Sequence, residues 1–215
     1  MQKIFKEPKA QRLILIVLAI LGWFALTIQF YLNINSKVAP FSEILIRYFS
    51  YFAILTNLLV AVCCTSQLLP SRLTLYFSNS NRITAIAVYI LIVGLVYNVI
   101  LRFLWHPQGL QMIVDELLHS VIPSLFLAYW LLFVKKDTLE WRNFLPWLWY
   151  PMAYLAWVLI RGSFSGFYPY PFLNKTQLGT TAVLWNSFGV ALLFVIFSLL
   201  FIGIGKTRKN STQSS

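Results

Sequence analysis

Long apolar runs separated by short polar or basic connectors make up most of the chain. Six of these runs are predicted to be membrane-spanning helices: Leu13–Leu32, Ile44–Ser66, Ile83–Trp105, Met112–Val134, Pro146–Ile160 with an extension to Gly162, and Thr180–Ile204. A helix needs about 20 mostly apolar residues to cross the hydrocarbon core, and five of the six approach or exceed that length. Met1–Arg12 with the first run has the outline of a signal peptide, but the run is too long and lacks a small-residue cleavage site, so it is read as the first span. Ser71–Asn81 and the Ser-rich stretch Asn210–Ser215 read as polar connectors, and no internal repeat is visible. The predicted fold is all-α: one six-helix transmembrane domain over residues 1–215, with spans near 13–32, 44–66, 83–105, 112–134, 146–162 and 180–204.

Composition supports the pattern. Hydrophobic residues are 59% of the chain and charged residues 11%, against about 45–50% and about 25% in soluble domains. Surface in that excess has to face lipid. The many Trp, Tyr and Phe residues suit anchoring at two membrane interfaces. A net charge of +11 raises nucleic acid as a partner. The basic residues sit mainly in the connectors, however, where they set topology and meet anionic lipid, so membrane lipids are the expected partner and nucleic acid is not. One side carries Lys3, Lys6, Lys9, Arg12, Arg72, Arg82, Lys135, Lys136, Arg142, Lys206, Arg208 and Lys209; the other carries Lys37, Arg47, Arg102, Arg161 and Lys175. The positive-inside rule places the first set in the cytoplasm, and an even number of spans brings both termini there, in a multi-pass protein of the cell membrane.

Polar groups inside spans are costly and therefore mark candidate sites. At a helical rise of about 1.5 Å per residue, Arg47 lies near the outer surface, Ser50 about 9 Å below it and Thr56 about 18 Å below it. Asp115 and Glu116 are shallow, and His119 lies about 10 Å down from the same side. Asn98, Arg102, Arg161 and Asn186 also fall in the outer halves of their helices. The set therefore gathers at one depth, consistent with a pocket open to the outer leaflet. Asp115 and His119 are four apart and share a face, as do Asn98 and Arg102. On an ideal helix Ser50 and Asn57 share a face, while Thr56 points about 120° away from Ser50. Pro123, four residues after His119, has no N–H for the His119 carbonyl and predicts a kink beside the histidine.

Some chemistries are excluded. No GxxxxGK[ST] loop or HExxH pair occurs, and Gly162-Ser163-Phe164-Ser165-Gly166 has Phe where a GxSxG elbow needs Ser. Cys63 and Cys64 are adjacent with no histidine beside them, and a metal site would have to lean on Asp115 or Glu116, so no metal or cofactor is expected. What the spacing permits is a hydroxyl nucleophile with a histidine base: Ser50 with His119, Asp115 orienting the ring, and Asn57, Asn98 or Arg102 as oxyanion donors. Arg47, Glu116 and Arg161 would support the pocket, and Thr56 is the alternative nucleophile. The aromatic segment Phe167 to Phe172 suits either a lid at the interface or an interfacial anchor.

Three blocks carry a resemblance. Arg47-Tyr48-Phe49-Ser50-Tyr51-Phe52-Ala53-Ile54-Leu55-Thr56-Asn57-Leu58-Leu59-Val60, Leu117-Leu118-His119-Ser120-Val121-Ile122-Pro123, and Arg161-Gly162 with Ser165-Gly166-Phe167-Tyr168-Pro169-Tyr170-Pro171-Phe172-Leu173 resemble, in that order, signatures of a group of bacterial six-span membrane proteins. They are also similar to the androgen-induced family that includes the androgen-dependent TFPI-regulating protein. The resemblance implies metal-independent hydrolysis of lipid esters, namely fatty acid esters of hydroxy fatty acids, by an intramembrane threonine and histidine. Alignment places the threonine on Ser50 and the histidine on His119. Two departures stand out: the nucleophile position is Ser, and the histidine-to-proline spacing of four is one shorter than in the animal proteins. The expected function is thus an intramembrane lipid-ester hydrolase, and the alternative is a transporter or lipid-binding protein without catalysis.

Overall fold

The computed structural model describes residues 9–70 and 72–213, with side chains through residue 207. Lys3, Lys6, Ser71, Ser214, Ser215 and the side chains of Arg208 and Lys209 lie outside the described residues. In chain order the helices are α1 Lys9–Asn35, α2 Phe41–Tyr48, α3 Phe52–Leu68, α4 Arg72–Phe77, α5 Ser80–Val99, α6 Gly109–Glu116, α7 Ile122–Phe133, α8 Phe144–Trp147, α9 Trp149–Ser165 and α10 Lys175–Gln213. A π-helical turn, Leu117–Val121, joins α6 to α7. No strand occurs among the described residues.

Four helical segments are long and apolar enough to cross a bilayer: Lys9–Asn35, Ser80–Phe103, Gly109–Phe133 and Lys175–Thr207. Their surfaces fit that role. On α10, Leu184, Phe188, Leu192, Ile196 and Leu200 recur every four residues and are all exposed, an apolar stripe suited to lipid rather than water. This is the build of a multi-pass membrane protein.

Two of the expected spans take a different form. The run Ile44–Ser66 is not one helix: α2 and α3 meet at 71°, and the pair makes a fifth span only if both halves are counted together. The helical phases expected of a straight helix, with Ser50 and Asn57 on one face, therefore do not carry across the break. The region predicted to be the fifth helix forms α9, whose 17 residues are fewer than the about 20 of a typical crossing. The tetrapeptide helix α8 stands directly before it.

The break between α2 and α3 contains neither Gly nor Pro. Side chains stabilise it instead. Ser50 Oγ donates to the Ile46 carbonyl, 2.7 Å away, a back-bond that bends helices. The Ser50 carbonyl accepts from the Tyr154 hydroxyl at 2.8 Å. The Ala53 N–H, in the first turn of α3, donates to the Tyr170 hydroxyl at 3.2 Å. Phenol oxygens thus take partners that a continuous helix would supply from its own backbone.

The chain divides into two compact units, residues 1–29 with 56–135 and residues 30–55 with 136–215. In the first, α5 is apolar all round and buried along Ile83–Ile90, as a central helix must be. Trp130 Nε1 on α7 donates to Thr84 Oγ1 at 2.9 Å, and the Tyr129 hydroxyl donates to Gln67 at 2.8 Å, so the polar tips of these buried aromatics are satisfied. In the second unit, Val158, Leu173 and Val183 form a core walled by Tyr154, Tyr168, Tyr170 and Phe172. Phe52 packs on Tyr150, Tyr154 and Phe194.

Candidate functional site

In the first unit the polar groups collect around the π-turn. Its wide register carries the Ile122 N–H back to the Leu117 carbonyl. The next residue, Pro123, has no N–H and serves neither the Leu118 nor the His119 carbonyl. Both find amides elsewhere. Asn57 Nδ2 donates to the Leu118 carbonyl at 3.0 Å, and Asn98 Nδ2 donates to the His119 carbonyl at 3.2 Å and to Gly94 at 2.8 Å. The approach of α5 to the turn is close: a Cβ on Gly94 would stand 3.2 Å from the His119 carbonyl oxygen and 3.3 Å from Pro123 Cβ. The predicted irregularity beside His119 therefore takes the form of a π-turn with two asparagine braces.

His119 is held on two sides. Its Nδ1 lies 2.9 Å from the Asp115 backbone carbonyl, and its ring stacks on Tyr97 with centroids 4.1 Å apart and planes 13° apart. A carbonyl oxygen only accepts, so Nδ1 carries the hydrogen, and Nε2 of the neutral ring keeps its lone pair. The backbone of Asp115 thus orients the imidazole, whereas its carboxylate is engaged differently. That buried carboxylate accepts from the Tyr97 hydroxyl at 3.3 Å and from Gln111 at 3.2 Å, and Gln111 in turn donates to Gln29 at 2.8 Å. Arg102 Nη2 pairs with Glu116 at 2.5 Å and donates to Ser120 Oγ at 3.1 Å. Its guanidinium lies 5.5 Å from the Tyr97 ring centre.

In the second unit Ser50 is buried at the break after α2. Three residues earlier, Arg47 Nε pairs with Glu43 Oε1 at 2.7 Å; Arg161 Nη2, from α9, pairs with the same oxygen at 2.6 Å. Phe167 lies across both cations, 4.5 Å from the Arg47 guanidinium carbon and 5.0 Å from that of Arg161. The loop carrying Phe167 is pinned. Tyr168 crosses Gly162 so closely that a Cβ there would overlap Cε1 of the ring. Tyr170 and Phe172 stack with centroids 5.3 Å apart, and Asn186 Nδ2 donates to the Phe172 carbonyl at 2.9 Å. Burial pushes the Tyr170 phenol above its ordinary value, so the hydroxyl that accepts from Ala53 is neutral.

The predicted site residues thus fall into two sets. Asn57, Asn98, Arg102, Asp115, Glu116 and His119 belong to the first unit, with Thr56, which is buried on α3; Arg47, Ser50 and Arg161 belong to the second. The asparagines expected as oxyanion donors brace a backbone turn. Phe167 was expected in a lid or anchor segment and not as a partner of the arginines; Glu43, Tyr97, Gln111 and Tyr154 were not anticipated. The i, i+4 pairing of Glu43 with Arg47 was a legible signal for Glu43; Tyr97, Gln111 and Tyr154 have none in the linear pattern. Among the described residues no three His, Cys, Asp or Glu side chains gather as a metal site would need. Comparison of the chain with models of known families, with curated proteins and with solved structures yields no match.

Proposed function

We propose that the chain is a six-span protein of the cell membrane, with cytoplasmic termini, that hydrolyses lipid esters without metal or cofactor. Six spans follow if α2 with α3, and α8 with α9, each count as one crossing. The observation that carries the catalytic reading is the state of His119. Its Nδ1–H is committed to the Asp115 carbonyl and its ring is fixed by Tyr97, leaving Nε2 as a buttressed base. Ser50 is the candidate hydroxyl and His119 the candidate base: in such a reaction the serine Oγ attacks the ester carbonyl carbon, its proton passes to the general base, and the ester C–O bond breaks as the alcohol leaves with that proton. Water then cleaves the acyl-serine by the reverse transfers. Ser50 stands two residues before α3, whose N-terminal peptide dipoles favour the developing negative charge. Fatty acid esters of hydroxy fatty acids are the substrate class suggested by the resemblance of the three sequence blocks.

The test is a lipid-ester assay on the purified full-length protein and its Ser50→Ala and His119→Ala variants. Either substitution is expected to lower turnover at least a hundredfold; undiminished turnover removes that residue from the mechanism. A second reading, lipid binding or transport without bond cleavage, is favoured by a specific observation. The Ser50 hydroxyl is already engaged by Ile46, and the amides of Asn57 and Asn98 are engaged by backbone carbonyls. Absence of ester turnover in the wild-type protein would select that reading.

A further inference from the structure

We infer that Arg47 and Arg161, with Glu43 and Phe167, form a binding site for one monovalent oxyanion, the carboxylate or phosphodiester head of an amphiphile. The charges leave room for it. Two guanidinium groups share a single carboxylate oxygen, so the cluster carries one uncompensated positive charge. The Arg161 side chain is only 9% exposed, and its Nη1 is buried with no hydrogen-bond partner among the described residues. A buried guanidinium N–H without an acceptor is unfavourable, and so is an unbalanced charge away from water. An oxyanion on the Arg161 fork corrects both at once, because guanidinium presents paired donors that match two oxygens of one carboxylate or phosphate.

The neighbouring groups define which anion fits. Arg47 is 32% exposed, and among the described residues its guanidinium bonds through Nε, so the terminal nitrogens remain for a ligand arriving from outside the cluster. Phe167 lies over both guanidiniums and offers an apolar wall to an acyl chain. Gly162 makes this possible: only a residue without Cβ lets Tyr168 lie against α9 and bring Phe167 over the arginines. Glu43 already neutralises one of the two cations, so a single negative charge completes the balance and a dianion overshoots it. The inference concerns binding alone and stands whether or not the protein cleaves esters.

Oleate is the probe, with its binding to the purified full-length protein in an uncharged detergent measured by equilibrium dialysis. Wild-type protein is expected to bind oleate but not methyl oleate, which keeps the chain and lacks the charge. Arg161→Gln is expected to weaken oleate binding at least tenfold. Arg47→Gln, at a partly exposed side chain, is expected to weaken it too and carries the test if the buried substitution does not fold. Glu43→Gln removes the internal counter-charge and is expected to tighten binding, a change of opposite sign that general loss of structure would not give. Displacement of oleate by phosphatidylglycerol, but not by inorganic phosphate, identifies a lipid head group as the source; displacement by inorganic phosphate at similar concentration identifies a soluble anion. Unchanged oleate affinity in both arginine variants, equal binding of methyl oleate, or weaker binding in folded Glu43→Gln protein would overturn the inference.

Discussion

Asn98 donates its side-chain amide to the His119 carbonyl at 3.2 Å, taking the place of the N–H that Pro123 lacks. The brace ties the histidine's own backbone to α5, and its strength is measurable. Asn98→Leu leaves that carbonyl without its amide donor and is expected to destabilise the protein by about 1–3 kcal/mol. Pro123→Ala restores an N–H in the turn, so the cost of Asn98→Leu is expected to be smaller in the Pro123→Ala background. A double-mutant cycle of unfolding in detergent reads the difference; equal costs in both backgrounds would separate Asn98 from the proline.

Tyr170 makes stability depend on alkaline pH. Burial favours the neutral phenol, so its folded-state value lies above the ordinary one of about 10. The stability gained from this shift is fully present below about pH 10 and is lost as the pH rises through the folded value. Tyr170→Phe removes the acceptor for the Ala53 N–H and is expected to cost about 1 kcal/mol at neutral pH. It should also flatten the fall in melting temperature above pH 10. An unchanged alkaline profile in the variant would contradict the assignment.

Much of the helical layout was legible because apolar runs of this length have few alternatives, and the π-turn region announced itself through Pro123. The break between α2 and α3 was not legible. Ser50 looks helix-compatible in the linear pattern, and the groups that hold the break open, Tyr154 and Tyr170, lie more than a hundred residues away. The same limit explains the asparagines. Asn57 and Asn98 stand out in the sequence as polar residues inside apolar runs, but their partners are backbone carbonyls whose need arises from Pro123 and the wide turn before it. Arg47 and Arg161 were recognised singly; their convergence on Glu43 is a tertiary fact.

Gly162 is expected to be intolerant of even one methyl group. Gly162→Ala drives Cβ into Tyr168 Cε1, so the ring must leave its seat on α9. A loss of about 1–3 kcal/mol is expected from the overpacking. Tyr168→Ala in the same chain removes the clash, and the double variant should be no less stable than Tyr168→Ala alone. A Gly162→Ala protein with wild-type melting temperature would show that the loop packs elsewhere.

The proposed Ser50 nucleophile and its dependence on His119 can be probed by covalent labelling. Purified full-length protein is treated with an alkyl fluorophosphonate, and the modified peptide is identified by mass spectrometry. One adduct is expected, on Ser50, and it is expected to be lost in the His119→Ala variant. An adduct on Thr56, or labelling of Ser50 that persists without His119, would contradict it.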